Sequence, residues 1–289
     1  MKKQLFTGVC TALVTPFTNG KIDYNMLSRL LIRQVNADVK AIVIAGTTGE
    51  SPTLTDLEKI SLFHRAKDIV KDNALIIAGT GSNSTAHSME LSMAAESAGA
   101  DALLIVSPYY NKSTPEGIYQ HYLSIANSVS LPIILYNVPG RTGLDIPVTV
   151  YKRLSEIPNI VGVKEANTDI TKIARIRNEC GDDFSIWTGN DDQIAVSMVL
   201  GALGVISVLS NVKPTETVEL CNAAIADNFI LAGKLQRQLL PLIDVLFSEV
   251  NPIPVKAAMN MIGFDCGNCR LPLSEISLEN RLKLESLLQ

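Results

Sequence analysis

Lys164 closes the apolar run Asn159-Ile-Val-Gly-Val163, so its amine stands at the end of a buried strand. An apolar setting disfavours the ammonium form relative to the free amine, and a free amine is a nucleophile toward carbonyl carbon. Gly46-Thr47-Thr48-Gly49-Glu50 follows another apolar run. Two hydroxyls between glycines, where main-chain N–H groups can approach closely, suit a carboxylate. Tyr136 ends the run Ile133-Ile-Leu135 and offers a phenol that can move protons; Arg141, five residues on, offers a bidentate partner for a second carboxylate. Taken singly, these residues also fit a snorkelling lysine, an ordinary strand-to-helix turn, an aromatic filler and a solvated loop arginine. The histidines weigh against a metal. Only His64, His87 and His121 exist, and each falls in a helical stretch rather than at a strand end, where a metal-dependent aldolase would gather several.

The elements that must position these groups repeat. Short runs rich in Val and Ile recur eight times, at residues 9–14, 41–45, 74–78, 102–106, 132–136, 160–163, 184–187 and 204–208. Such runs read as strands buried on both faces, as in a parallel sheet. Helix-like stretches separate them. Thr55-Asp-Leu-Glu58 is a capping box, Thr114-Pro115 places proline at a first helical position, and Cys180-Gly181 ends a helix with glycine. A repeat of about 20 to 35 residues suits one βα unit each. The expected fold is therefore α/β: a (β/α)8 TIM barrel over residues 1–224, followed by a small C-terminal helical extension over 225–289. In a barrel, catalytic groups project from the C-terminal ends of the strands. The polar residues there include Thr15, Thr47, Thr48, Thr80, Tyr109, Tyr110, Tyr136, Lys164, Gly189, Asp191 and Ser207.

Composition sets the outer limits. Of 289 residues 47% are apolar, enough for a full core, and the net charge is −4 with basic and acidic residues interspersed. Nucleic acid and anionic membrane surfaces, which call for a clustered basic face, are not expected partners. The start Met1-Lys2-Lys3-Gln4-Leu5-Phe6-Thr7 leads into an apolar run broken by Thr11, Thr15 and Pro16, too short for a leader, and no stretch reaches a membrane span of roughly 18 apolar residues. A soluble, cytoplasmic protein is expected. Five cysteines imply no disulfide framework there. Cys266-Gly-Asn-Cys269 has zinc-knuckle spacing but lacks a second ligand pair, so free surface thiols are expected.

Five motifs in order, Gly46-Thr-Thr-Gly-Glu50, Pro108-Tyr-Tyr110, Tyr136-Asn-Val-Pro-Gly-Arg-Thr-Gly143, Gly162-Val-Lys-Glu-Ala166 and Asn251-Pro-Ile-Pro-Val-Lys256, span essentially the whole chain. In these the sequence resembles the dihydrodipicolinate synthases, within the pyruvate-dependent class I aldolase superfamily that includes N-acetylneuraminate lyase. The resemblance implies that Lys164 forms the Schiff base. It implies that Tyr136, Thr48 and Tyr110 form a hydroxyl relay, with Tyr110 reaching in from a neighbouring subunit. Thr47 and Thr48 would cradle the pyruvate carboxylate, Gly189 and Ile206 would line the site, and Arg141 would bind the carboxylate of aspartate semialdehyde. No cofactor is implied, and a homotetramer built as a dimer of dimers is. Ser51, Asn83 and Tyr109 match a lysine-binding inhibitory pocket, but Asp56, Lys59 and His87 depart from its usual two histidines and a glutamate. Lys59 would repel a cationic ligand and His87 offers no carboxylate, so weak or absent lysine inhibition is expected. Sugar-acid lyases are the alternative enzymes, disfavoured by Arg141. A catalytically silent keto-acid-binding paralogue is the alternative of another class, disfavoured because every position of the mechanism is filled.

Overall fold

The computed structural model describes residue 2 and residues 4–288. Met1 and Lys3, part of the N-terminal run weighed as a leader, and Gln289 lie outside the described residues. The barrel strands are β1 (Gly8–Ala12), β2 (Ala41–Ile44), β3 (Leu75–Gly79), β4 (Ala102–Val106), β5 (Ile133–Asn137), β6 (Ile160–Glu165), β7 (Ser185–Thr188) and β8 (Gly204–Ser207). They pair in parallel in the order β1-β8-β7-β6-β5-β4-β3-β2 and close into a barrel when β2 meets β1. Each of the eight apolar runs overlaps one strand, and every residue of β1, β2, β5, β6, β7 and β8 is buried. That is why these strands show continuous apolar runs rather than alternation.

Around the barrel lie α1 (Tyr24–Asn36), α2 (Asp56–Val70), α3 (Thr85–Ser97), α4 (Pro115–Ser128), α5 (Val148–Ser155), α6 (Thr171–Cys180), α7 (Ile194–Val199) and α8 (Pro214–Ile225). The helix signals act as the residues dictate. Thr55 and Glu58 form a reciprocal capping box on α2, and Thr114 Oγ1 accepts from the Gly117 N–H ahead of α4. Gly181, at φ +74°, takes the left-handed turn that ends α6. All three histidines sit on helices, His64 on α2, His87 on α3 and His121 on α4.

Two apolar layers result. Outward-facing strand residues such as Ile42, Ile76, Ile105 and Leu135 pack under the helices. Inward-facing residues such as Cys10, Val43, Ile77, Leu104, Ile134 and Ile206 fill the barrel, and Phe6 stacks on Trp187 at 4.6 Å between ring centroids.

Beyond α8 the chain continues through α9 (Phe229–Leu246), α10 (Ile253–Met261) and α11 (Leu278–Leu288). The irregular segment between α10 and α11 returns to the barrel, where the Phe17 N–H donates to the Cys266 carbonyl at 2.9 Å. This corrects the expectation of surface thiols. Cys266 is fully buried in the core, Cys269 is half-buried, and burial pushes both thiols up to about 12. The segment carrying them is folded inward by its main-chain bonds rather than left on the surface.

Candidate active site

Lys164 reaches the barrel interior through an irregularity in the sheet. Ile133 pairs with Ile160, yet Ile134 pairs with Gly162, so one residue of β6 is skipped. Strict alternation from Ile160, which faces the helices, would turn Lys164 outward; the extra residue reverses the phase. Lys164 then stands beside Tyr136 in register, and its Nζ lies 4.5 Å from the centroid of the Tyr136 ring. Both side chains are buried. The next residue, Glu165, points the other way, accepting from the Tyr151 hydroxyl and from Asn137 Nδ2.

Gly189, just past β7, gives the lysine room. A Cβ there would lie 2.8 Å from the Ala166 methyl and 2.9 Å from Lys164 Cε. Asp191, two residues on, is fully buried; its Oδ2 accepts from the Val208 and Leu209 N–H groups, both at 2.9 Å. Burial raises this carboxyl group's pKa, while Ser207, the two N–H donors and the charge of Lys164 pull against the rise. Burial also pushes up the Cys10 thiol, so it stays a neutral apolar neighbour of Lys164 in the barrel. Ile206 pairs with Cys10 and is fully buried on β8.

The Gly46–Glu50 loop closes the opposite wall. The Gly49 N–H donates to the Gly46 carbonyl at 3.1 Å, and Thr15 Oγ1 donates to the Gly49 carbonyl at 2.7 Å. Gly79 lets this loop approach, because a Cβ on it would stand 2.4 Å from the Ala45 carbonyl oxygen. Thr48 is buried and its Oγ1 accepts from Asn251 Nδ2 at 2.9 Å. Thr47 lines a cleft of about 880 Å3 together with Tyr136, Val138, Arg141 and Tyr110, a size that admits a small ligand.

The family profile described as the dihydrodipicolinate synthetase family matches residues 5–289. The chain belongs to the dihydrodipicolinate synthetase family. It is 49% identical over 270 residues to the 4-hydroxy-tetrahydrodipicolinate synthase of Fervidobacterium nodosum, covering 93% of this chain and 92% of the relative. It is 46% identical over 280 residues to that of Acetivibrio thermocellus, covering 97% and 95%. The crystal structure of dihydrodipicolinate synthase from Thermotoga maritima superposes with a TM-score of 0.97 at 43% identity, covering 99% of this chain and 98% of that one.

Within this dihydrodipicolinate synthetase barrel the motif residues fall in two groups. Lys164, Tyr136, Gly189 and Ile206 converge inside the mouth, and Thr48 stands in the wall formed by the second loop. Arg141 lies on the short helical turn Pro139–Thr142, its Nη2 donating to the Asn251 carbonyl at 3.4 Å. Tyr110 is separate. It stands at the rim in a left-handed conformation, φ +67°, and is 91% exposed. The residues matched to an inhibitory pocket gather in the same cleft: Ser51, Asp56, Lys59, His87 and Tyr109 line it, and Asn83 Nδ2 donates to the Tyr109 carbonyl. Asp56 there is taken up by its neighbours, with His87 Nε2 at 2.9 Å and Lys59 Nζ at 3.6 Å.

Sequence reasoning missed the contribution of the C-terminal segment. Asn251 touches Thr48 and Arg141, and Lys256 forms a buried pair with Glu50, the last residue of the Gly46–Glu50 loop, at 2.8 Å. A lysine inside the apolar stretch Pro252-Ile-Pro-Val-Lys-Ala-Ala-Met259 was the available signal.

Proposed function

We propose that this chain condenses pyruvate with L-aspartate 4-semialdehyde through a Schiff base on Lys164, releasing 4-hydroxy-tetrahydrodipicolinate on the route to diaminopimelate and lysine. The observation that carries the site assignment is the Lys164 amine, buried in the barrel mouth against the face of Tyr136 with Gly189 clearing its path. Lys164 Nζ attacks the keto carbon of pyruvate, and the keto oxygen departs as water to leave an iminium. The iminium acidifies the methyl group; one proton leaves and the electron pair forms an enamine. Tyr136, Thr48 and Tyr110 serve this proton transfer. The enamine carbon bonds to the aldehyde carbon, and the new alkoxide takes up a proton. The substrate's amine then attacks the iminium carbon, closes the ring and expels Lys164. The iminium is the electron sink, so the chemistry calls for no cofactor.

Thr47 and Thr48 hold the pyruvate carboxylate, and Arg141 holds the second carboxylate, which separates this activity from lyases of neutral polyols. The exposure of Tyr110 supports a site completed by a neighbouring subunit. Exposed Val196 and Val199 on α7, Ile225 on α8 and Ile230 on α9 support a second apolar contact, as a dimer of dimers requires. Residues 1–224 act as the catalytic barrel and 225–289 as an extension that braces its mouth. No helix of the described residues is long and apolar enough to cross a membrane; with the family's biosynthetic role, this supports a cytoplasmic location.

The test is intact mass spectrometry after borohydride reduction in the presence of pyruvate. An adduct on the wild-type chain that is lost in Lys164→Ala supports the reading. No adduct on folded wild-type protein overturns it, leaving a barrel that binds a keto acid without turning it over.

A further inference from the structure

Thr48 is not oriented by its own loop alone. Asn251, 203 positions away in sequence, donates from Nδ2 to Thr48 Oγ1 at 2.9 Å, and both side chains are buried. The main-chain carbonyl of the same residue accepts from Arg141 Nη2 at 3.4 Å. One residue of the C-terminal segment thus touches the hydroxyl assigned to the relay and the guanidinium assigned to the second substrate.

The Asn251 side chain is only half satisfied. Its Oδ1 is buried and has no hydrogen-bond partner among the described residues. A threonine hydroxyl has one proton and two lone pairs. With Nδ2 donating to a lone pair, the Thr48 proton is left to point elsewhere, which is the polarity a relay member needs. Without that donor the hydroxyl can rotate and lend its proton to other acceptors in the wall.

We propose that Asn251 is a positioning residue for the condensation: its side chain sets the direction of the Thr48 hydroxyl, and its main-chain carbonyl seats Arg141. The proposal rests on the assignment of Thr48 to the relay. Only the first contact depends on the side chain, so the two halves separate on substitution.

The test is a double-mutant cycle between Asn251→Ala and Thr48→Val, with steady-state kinetics for both substrates and pyruvate trapping on each protein. Asn251→Ala lowers kcat by about tenfold, a modest share of a general acid–base contribution. KM for aspartate semialdehyde stays within about twofold, because the carbonyl that holds Arg141 is retained. In the Thr48→Val background the same substitution changes kcat by less than about twofold, since its effect passes through the missing hydroxyl. Asn251→Asp keeps the shape but can only accept, so it captures the Thr48 proton and loses at least as much kcat as Asn251→Ala. Pyruvate adducts on Lys164 form in the Asn251 variants as in wild type, and in the Thr48→Val backgrounds at raised pyruvate because Thr48 also belongs to the carboxylate cradle; in each they report an intact Lys164.

An equal loss of kcat in both backgrounds overturns the proposal, as does wild-type kcat in Asn251→Asp. A raised KM with unchanged kcat in Asn251→Ala also overturns it, reducing Asn251 to a binding contact. Wild-type turnover in Thr48→Val removes the hydroxyl from the relay and this proposal with it, while the Lys164 adduct keeps the Schiff-base reading standing.

Discussion

Replacing Lys256 with Met tests whether the C-terminal segment is structurally bound to the catalytic mouth. The Lys256 Nζ–Glu50 Oε1 distance is 2.8 Å, with side-chain exposures of 2% and 0%. The ammonium also donates to the Asn268 carbonyl at 3.0 Å and sits 4.2 Å from the centre of the Phe17 ring. The substitution keeps volume and removes charge, leaving the Glu50 carboxylate buried without its ammonium partner while the Arg270 N–H still donates to Oε2. Removing one partner of a buried pair costs about 3–5 kcal/mol. For a chain of this size each kcal/mol moves Tm by about 2–4 °C, so a fall on the order of 10 °C is expected. Urea midpoints and calorimetry at fixed protein concentration measure it. The double variant Lys256→Met with Glu50→Gln removes both charges and is expected to regain at least about half of the loss. A Lys256→Met protein within about 1 kcal/mol of wild type refutes the reasoning, as does a double variant no more stable than the sum of the singles.

Arg141→Ala is expected to raise KM for aspartate semialdehyde by about 10-fold or more, the cost of a lost charge-assisted contact, while pyruvate trapping on Lys164 is unchanged; an unaltered KM would count against that assignment. L-lysine is expected to inhibit no more tightly than about 1 mM, because Lys59 brings a like charge into the pocket and Asp56 is already engaged by His87 and Lys59; sub-millimolar inhibition in initial-rate assays would refute this. His121 is buried, with Nδ1 hydrogen-bonded to Thr85 Oγ1 at 2.9 Å, and burial lowers its pKa to about 4. The unfolded chain takes up this proton near pH 6.5 and the folded chain only near pH 4, so stability falls as pH drops through that window, by up to about 3 kcal/mol. Urea titrations from pH 7 to pH 4 should show a shallower decline in His121→Gln, and an identical slope would exclude the histidine as the cause.

The barrel was legible because its strands are buried on both faces, so burial is written into residue type with no need to know the neighbours. The same holds for Lys164 as a strand-end residue. Its inward direction was not legible. Ile160, Val161, Gly162 and Val163 contain no residue that announces a skipped position, and counting alternation from Ile160 gives the wrong face for Lys164. The phase change belongs to the pairing of two strands and is a property of neither alone. The sequence reading did not depend on that phase, because it rested on the end of the strand, where a long flexible amine reaches the mouth whichever way the pleat runs.

The Asn251–Lys256 motif was visible in the sequence, but its role was not legible, for a different reason. Its polar contacts with the mouth, and those of the segment that follows it, lie more than a hundred positions apart in sequence: Asn251 to Thr48 and to Arg141, Lys256 to Glu50, and the Arg270 N–H to Glu50. Neither helical period nor alternation encodes such a contact. Read alone, the stretch is a helical appendage. Read for polar residues stranded among apolar ones, Asn251 and Lys256 mark it as something more, because a lysine buried at 1% exposure requires a partner. Glu50 supplies that partner, and Glu50 ends the loop that presents Thr47 and Thr48. The extension therefore braces the second loop: the wall that presents Thr47 and Thr48 is shaped from behind by residues that follow the barrel in sequence.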